Sequence, residues 1–285
     1  TLTQVARQAL DSGILHNATQ LRELALGTTL PTEENEVEQL WKILEEKADI
    51  KTIPNQELQE LIETAHNEVG DEETILLTRT NRRTNIYNQG IRTRILWREE
   101  EIATGDRLMV SKNNYFWTEK YENLPFLANG DMLEIVRLRN MREMYGYHFV
   151  DAQLKALDYD WEIDAVLWLD TMSSDGPEAN AQMHKDLFGK VAEDFPELAN
   201  NRKKLVEAIY SSPYYNALQV RMAYAITGHK SQGGQWSRVF IDPYKGGDPT
   251  TVQTPEQQQE FYRWLYTAIT RAKEKVYILK NEVSS

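Results

Sequence analysis

Apolar residues recur at helical spacing over the first seventy positions. Val5, Ala9, Leu10, Ile14, Leu15, Leu21 and Leu24 predict one or two helices over 3–26, with Gly13 as the break. Val37, Leu40, Trp41 and Leu44 form a stripe on a helix over 34–46. Leu58, Leu61 and Ile62 do the same over 55–67, with Pro54 near the start. The pattern then changes. The run ETILLT at 73–78, apolar between polar neighbours, predicts a buried strand, and a turn leads into a helix over about 82–92. Helix, strand, loop and helix in that order are α/β grammar. From 99 to 170 the helical period fades. GDRLMVSKNNY, NGDMLEIVRLR, HFVDAQLKAL and IDAVLWLD read as strands separated by turns at Gly105-Asp106, Asn129-Gly130 and Gly146. A small antiparallel barrel or sheet of about five strands, inserted into the α/β pattern, is expected there. Helices follow over 178–193 and 196–210, then strands over 218–226, 238–241 and 275–279. A helix over 255–269 lies between the last two strands, with Thr254 as its cap and Pro255 in its first turn.

The chain has 285 residues, enough for roughly two domains. With 41% hydrophobic residues it can build cores, which excludes a disordered or collagen-like chain. No apolar run approaches the roughly 20 residues of a membrane helix, and no membrane partner and no signal peptide are expected. The first residue is Thr1 rather than Met, so a longer parent protein is expected. Cys is absent, which removes disulfides and thiolate chemistry and makes the cytoplasm the default compartment. The five His (His16, His66, His148, His184 and His229) show no ligand spacing, so no metal is expected on this chain alone.

The net charge of −12 argues against a nucleic-acid partner until its distribution is seen. Residues 33–73 hold 14 acidic side chains and three Lys, a local sum of −11. Residues 79–98 hold six Arg and no acid. Those arginines suit either a solvated face or the backbone of a polyanion.

Two segments carry the chemistry. In AYAITGHKSQGGQWSRVFID (223–242) a strand ends in polar and Gly residues and a second strand follows. Open α/β sheets bind ligands at carboxyl ends of strands, and glycines let backbone N–H groups approach an anion. A plain tight connection would read the same way. In FYRWLYTAITRAKEKVYIL (261–279), Phe261, Trp264, Leu265, Ala268 and Ile269 form a buried helix stripe leading to Arg271, just before a strand. An Arg fixed at that place can hold a phosphate bidentately. Lys230-Ser231 is no phosphate loop, since GxxxxGK[ST] occurs nowhere in the chain.

Together the two segments resemble the fifth and sixth conserved motifs of the C-terminal motor domain of superfamily 1 DNA helicases, of the RecD-like and UvrD-like kind. ILLTRTNRRTNIYNQGIR (75–92) resembles the strand and DNA-facing loop that open that domain, and LTQVARQALDSGILHNATQLR (2–22) resembles the fourth motif. GDRLMVSKNNY with NGDMLEIVRLR resembles the SH3-like barrel of RecD-type enzymes. The resemblance implies an α/β fold, a RecA-like parallel sheet with flanking helices interrupted by a small SH3-like β-barrel insertion. It implies a second motor domain over 1–98 and 216–285, the barrel over 99–171 and a helical connection over 172–215.

By position, Arg271 and Arg7 resemble arginine fingers for the γ-phosphate of ATP, where guanidinium groups stabilise transition-state charge. Gly233, Gly234, Gln235 and Gln8 fall with the nucleotide, Gln235 standing where the family has an acidic residue. Thr78, Arg79, Asn81, Arg82, Thr227, His229 and Lys230 fall with single-stranded DNA. Walker A and the acidic pair for Mg²⁺ belong to the family's first motor domain and are not in this sequence. The implied protein is the C-terminal half of an ATP-dependent helicase or translocase. It would use ATP and Mg²⁺ only when complete, and would be a monomeric fragment without ATPase of its own. A non-enzymatic nucleic-acid-binding module is the alternative. Tyr115, Phe116 and Trp117 stack on bases or belong to the barrel's core and rim.

Overall fold

The computed structural model describes residues 12–27, 36–121, 124–157, 161–174, 176–245 and 254–280. Helices α1 (Gly13–Leu26) and α2 (Glu36–Ile43) come first, then strand β1 (Ile50–Pro54), helix α3 (Leu58–Val69), strand β2 (Thr74–Thr78) and helix α4 (Asn81–Gly90). Strands β3 (Arg107–Val110), β4 (Met132–Met144), β5 (Tyr147–Ala156) and β6 (Glu162–Trp168) follow, with helices α5 (Pro177–Ala192) and α6 (Arg202–Tyr210). Strands β7 (Leu218–Met222), β8 (Ala225–Thr227) and β9 (Trp236–Ile241), helix α7 (Pro255–Ile269) and strand β10 (Ala272–Lys280) complete the order. Two compact units result, one of 1–97 with 224–285 and one of 98–223.

In the first unit, the described residues form a five-stranded sheet in the order β1-β10-β9-β2-β8. Every pair in it is parallel. Ile75, Leu76, Leu77, Val239, Phe240, Ile241, Val276, Ile278 and Leu279 are buried, as central parallel strands covered by helices require. Helix α7 lies against the sheet through Phe261, Leu265, Ala268 and Ile269. Its start is the expected one: Thr254 Oγ1 accepts from the Gln257 N–H and the Gln257 side chain accepts from the Thr254 N–H, a reciprocal cap.

In the second unit, β3-β4-β5-β6-β7 close into a barrel around Leu108, Val110, Leu133, Ile135, Leu154, Ile163, Leu167, Leu218 and Val220. Positive φ at Tyr145 and Gly146 (58° and 71°) turns β4 back into β5. The fold class is therefore the expected one, a parallel α/β sheet with flanking helices, interrupted by a small closed β-barrel.

Three details differ from the sequence reading. The strand expected over 218–226 is two strands: β7 is the fifth stave of the barrel, and β8 lies in the parallel sheet. No Gly or Pro separates the two pieces, and both are buried, so nothing local marks the switch. The helices expected as a connection pack on the barrel, with Leu187, Val191 and Ile209 against Phe149 and Trp168. Finally β1 was not foreseen. Its burial does not alternate, and Lys51 interrupts the apolar signal. Among the described residues no helix is long and apolar enough to cross a membrane.

Candidate nucleotide and nucleic acid site

Because all strands of the first unit run parallel, the sheet has a carboxyl end and an amino end, and the predicted residues divide between them. β2, β8 and β9 end at Thr78, Thr227 and Ile241; β9 and β10 begin at Trp236 and Ala272. Thr227 stands level with Thr78, and Arg238 level with Thr74. At about 3.3 Å per residue the two levels are about 13 Å apart. The segment 228–235 starts at one level and finishes near the other.

At the carboxyl end Thr78 is fully buried. Its hydroxyl meets Thr84 Oγ1 at 2.6 Å and the Thr80 carbonyl at 3.1 Å. That corrects the expectation that Thr78 faces DNA: its hydroxyl braces the turn into α4. Arg79 is half-buried, with its guanidinium 4.9 Å from the Phe261 ring centroid and 5.7 Å from that of Trp264. Burial pulls its pKa down to about 10, opposed by Glu260 and Asp242, and it stays cationic at neutral pH. Arg79 is held as a stacked structural cation rather than presented as a loop residue. Asn81, Arg82 and His229 are exposed, while Thr227 and Lys230 are half-buried. Thr80 caps α4 by accepting from the Arg83 N–H at 3.3 Å.

Two residues at this end escaped the sequence reading. Asp242 is completely buried and ion-paired with Arg83 Nε. Burial pushes the Asp242 carboxyl up, and Arg83 works against that shift. Arg83 also donates to Tyr87 Oη at 3.2 Å. The only hint in the sequence is an acid directly after the buried run VFI. Its partner lies 159 positions away.

At the amino end Arg271 meets the end of the 228–235 segment. Arg271 Nε donates to the Thr267 carbonyl at 3.1 Å, Nη1 to the Gly234 carbonyl at 3.3 Å and Nη2 to Thr270 Oγ1 at 3.3 Å. The Trp236 N–H donates to the Arg271 carbonyl at 2.9 Å, tying β9 to β10. Among the described residues Arg271 pairs with no carboxylate, whereas its neighbours do: Arg238 with Glu68 and Glu274, and Lys273 with Glu73. Of the five N–H donors of a guanidinium, three are spent on neutral oxygens, which leaves one on each terminal nitrogen. That is the bidentate arrangement a phosphate or carboxylate takes. Gly233 and Gln235 are exposed beside it.

The glycines are explained by packing rather than by an anion. A Cβ on Gly228 would collide with the indole nitrogen of Trp264, and one on Gly234 with the Trp236 ring. Gly233 has φ +92°. The N–H groups of Gly228, Lys230, Ser231 and Gly234 are all spent on carbonyls nearby. The expected cradle of backbone donors is therefore not formed by these four. The loop's glycines were expected at the carboxyl end of a strand; Gly234 instead meets Arg271 at the amino end of the sheet. Arg7 and Gln8 lie outside the described residues. No group of three or more acidic or His side chains that could hold a metal occurs among the described residues.

Residues 222–279 match a family described as the UvrD-like helicase C-terminal domain. An uncharacterized protein of Acanthamoeba polyphaga mimivirus is 24% identical over 255 residues, covering 75% of this chain and 48% of that protein. Among solved structures, Pif1 helicase from Candida albicans is 13% identical with a TM-score of 0.36, over 80% of this chain and 50% of that one. Pif1 helicase from Bacteroides, in complex with ADP-AlF3 and ssDNA, is 12% identical with a TM-score of 0.37, over 72% and 40%. The chain thus spans about half the length of the curated relative it matches. The matched segment begins at Met222, the last residue of β7, so it covers the switch from barrel to sheet.

Proposed function

We propose that this chain is the C-terminal motor half of an ATP-dependent DNA helicase or translocase, of the RecD-like kind that carries an SH3-like barrel. Arg271 is its arginine finger, and the carboxyl end of the sheet grips single-stranded DNA. The observation that carries this reading is Arg271 itself: a half-buried guanidinium oriented by three neutral oxygens and, among the described residues, without a carboxylate and with two donors unspent. A cation fixed so and left uncompensated suits an anion supplied from outside the chain. The donor set fits the terminal phosphate of ATP. Bound ATP with Mg²⁺ supplies the phosphoryl group and its leaving diphosphate. Arg271 orients that group and neutralises charge on its equatorial oxygens. The single-strand reading draws on exposed Asn81, Arg82 and His229, with Thr227 and Lys230, beside the capped start of α4. The segment 228–235 joins the two ends of the sheet, which is what coupling strand grip to nucleotide state requires.

The test uses the complete protein. Arg271→Ala should lower single-strand-stimulated turnover by about 10³–10⁵ while changing KM for ATP little. Unchanged turnover refutes the finger. The present chain alone should show no ATPase, and adding the other motor half should restore it. Single-strand binding with no restoration would instead favour a non-enzymatic binding module.

A further inference from the structure

Helix α4 starts at the carboxyl end of the sheet and carries a surface that extends from Arg82 beyond the site above. Its inner face is fixed by Asn88, whose amide oxygen accepts from the Tyr224 and Ala225 N–H groups at 3.0 and 2.8 Å. The Asn88 amide nitrogen returns a bond to the Ala225 carbonyl at 2.9 Å. Thr84 and Ile91 are buried on the same side. Arg82, Ile86 and Gln89, spaced by four and three, therefore face water. Beyond Gly90 the helix loosens into a π turn, Ile91–Ile95, closed by the Leu96 N–H on the Ile91 carbonyl at 3.0 Å. π turns concentrate at functional sites. Trp97 follows, 81% exposed and at φ 55°.

That combination is unfavourable on two counts. A bulky residue in left-handed backbone is strained, and a hydrated indole forgoes burial. Gly would make the same turn without either penalty. The surroundings indicate what the indole is for. Arg82 and Arg94 are exposed and make no hydrogen bond or ion pair among the described residues. No acidic residue occurs from Thr74 to Arg98. Exposed cations that are unpaired among the described residues, on the helical segment that leads to an exposed ring, suit a polyanion that also has π faces, and an apolar protein partner would leave those charges uncompensated. We propose that Trp97 stacks on a base of a single strand whose phosphates run past Arg82 and Arg94. This rests on the reading of the unit as a single-strand-binding motor half.

The test measures binding of the 285-residue chain to a labelled dT strand of about 16 nucleotides, and to an abasic strand of equal length, at low salt. Trp97→Ala should weaken dT binding by roughly 5- to 150-fold, the worth of one stacked base, and leave abasic binding unchanged. Trp97→Phe should keep most of the affinity. Trp97→Gly should lose affinity like Ala yet melt at or above the wild-type temperature, because the backbone strain is gone. Arg82→Ala and Arg94→Ala should each reduce the salt slope of log K by about 0.7. Equal dT affinity in Trp97→Ala overturns the inference and leaves the motor reading standing. So does equal loss on dT and abasic strands. So does intact DNA binding with loss of self-association, which would make the ring a protein contact. A wild-type chain that binds neither strand overturns both the inference and the reading beneath it.

Discussion

The two ends of the parallel sheet treat the same side chain in opposite ways. At the carboxyl end the half-buried cations are compensated: Arg83 is ion-paired with fully buried Asp242, and Arg79 lies over the Phe261 and Trp264 rings, while exposed Arg82 is left to solvent. At the amino end Arg238 and Lys273 are paired too, and among the described residues Arg271 bonds only neutral oxygens. An arginine's place in the sequence is thus no guide to its task; its partners are. A paired or stacked guanidinium holds the fold, and one held open holds a ligand.

The sharpest test of that contrast lies in the complete protein. Arg271→Lys should lose turnover almost as far as Arg271→Ala, by at least about a hundredfold, because a point charge cannot replace the fork. Arg79→Ala should instead lower the melting temperature and leave turnover per folded molecule nearly intact. Steady-state ATPase corrected for folded fraction decides it. If Arg79→Ala stops turnover in folded protein, the two ends do not differ as described.

Next in size comes Asp242→Ala. Removing one partner from a buried pair leaves the other uncompensated, at a cost of about 3–5 kcal/mol. Urea denaturation of the chain measures it. Replacing Asp242 and Arg83 together by Leu and Met should recover much of the loss, since well-packed apolar pairs often serve as well. A double variant as unstable as the single one would mean that Asp242 does more than hold Arg83.

A smaller effect is expected where the 228–235 segment leaves the carboxyl end. Gly228→Ala would drive a methyl group into Trp264, with overpacking worth about 1–3 kcal/mol. Gly90→Ala, with no atom within 4 Å of the added carbon, should be neutral or slightly stabilising. Comparable losses at both would remove packing as the reason for Gly228.

Much of this was legible beforehand, and the misses share a cause. Helix α7 with its Thr254 cap, strand β2 and the strands around Gly146 follow from local periodicity and turn chemistry, which a linear text contains. The division of 218–226 between two sheets, the Arg83–Asp242 pair and the stacking of Arg79 on α7 are set by partners far along the chain. Which end of the sheet Gly233 and Gly234 occupy was missed for the same reason. Spacing shows that Gly233 precedes a strand, but only parallel pairing shows that its end is the amino one. Thr78 shows the limit in one residue: a hydroxyl at a strand end reads as a DNA contact until its bond to Thr84 is seen.

The smallest predicted effect concerns Asp49, at the amino end beside Arg271's strand. Its backbone carbonyl accepts from the Val276 N–H at 2.8 Å, and its carboxylate receives Ser12 Oγ at 2.7 Å, the Gly13 N–H at 2.8 Å and the Ile14 N–H at 3.2 Å. It thereby satisfies the first donors of α1, which would otherwise be orphaned. Burial pushes this carboxyl up, but the bonds from Ser12, Ile14 and Gly13 outweigh it, so its pKa lies below the ordinary value. A carboxylate with a lowered folded pKa contributes stability above its unfolded pKa and loses it as pH falls through the folded one. Asp49→Asn should therefore cost about 1–2 kcal/mol near neutral pH. The gap to wild type should begin to close below about pH 4, as the unfolded chain's carboxyl takes up its proton. Denaturation midpoints measured from pH 7 to pH 3 read this out. A gap that stays constant through that range would assign Asp49's role to shape rather than charge.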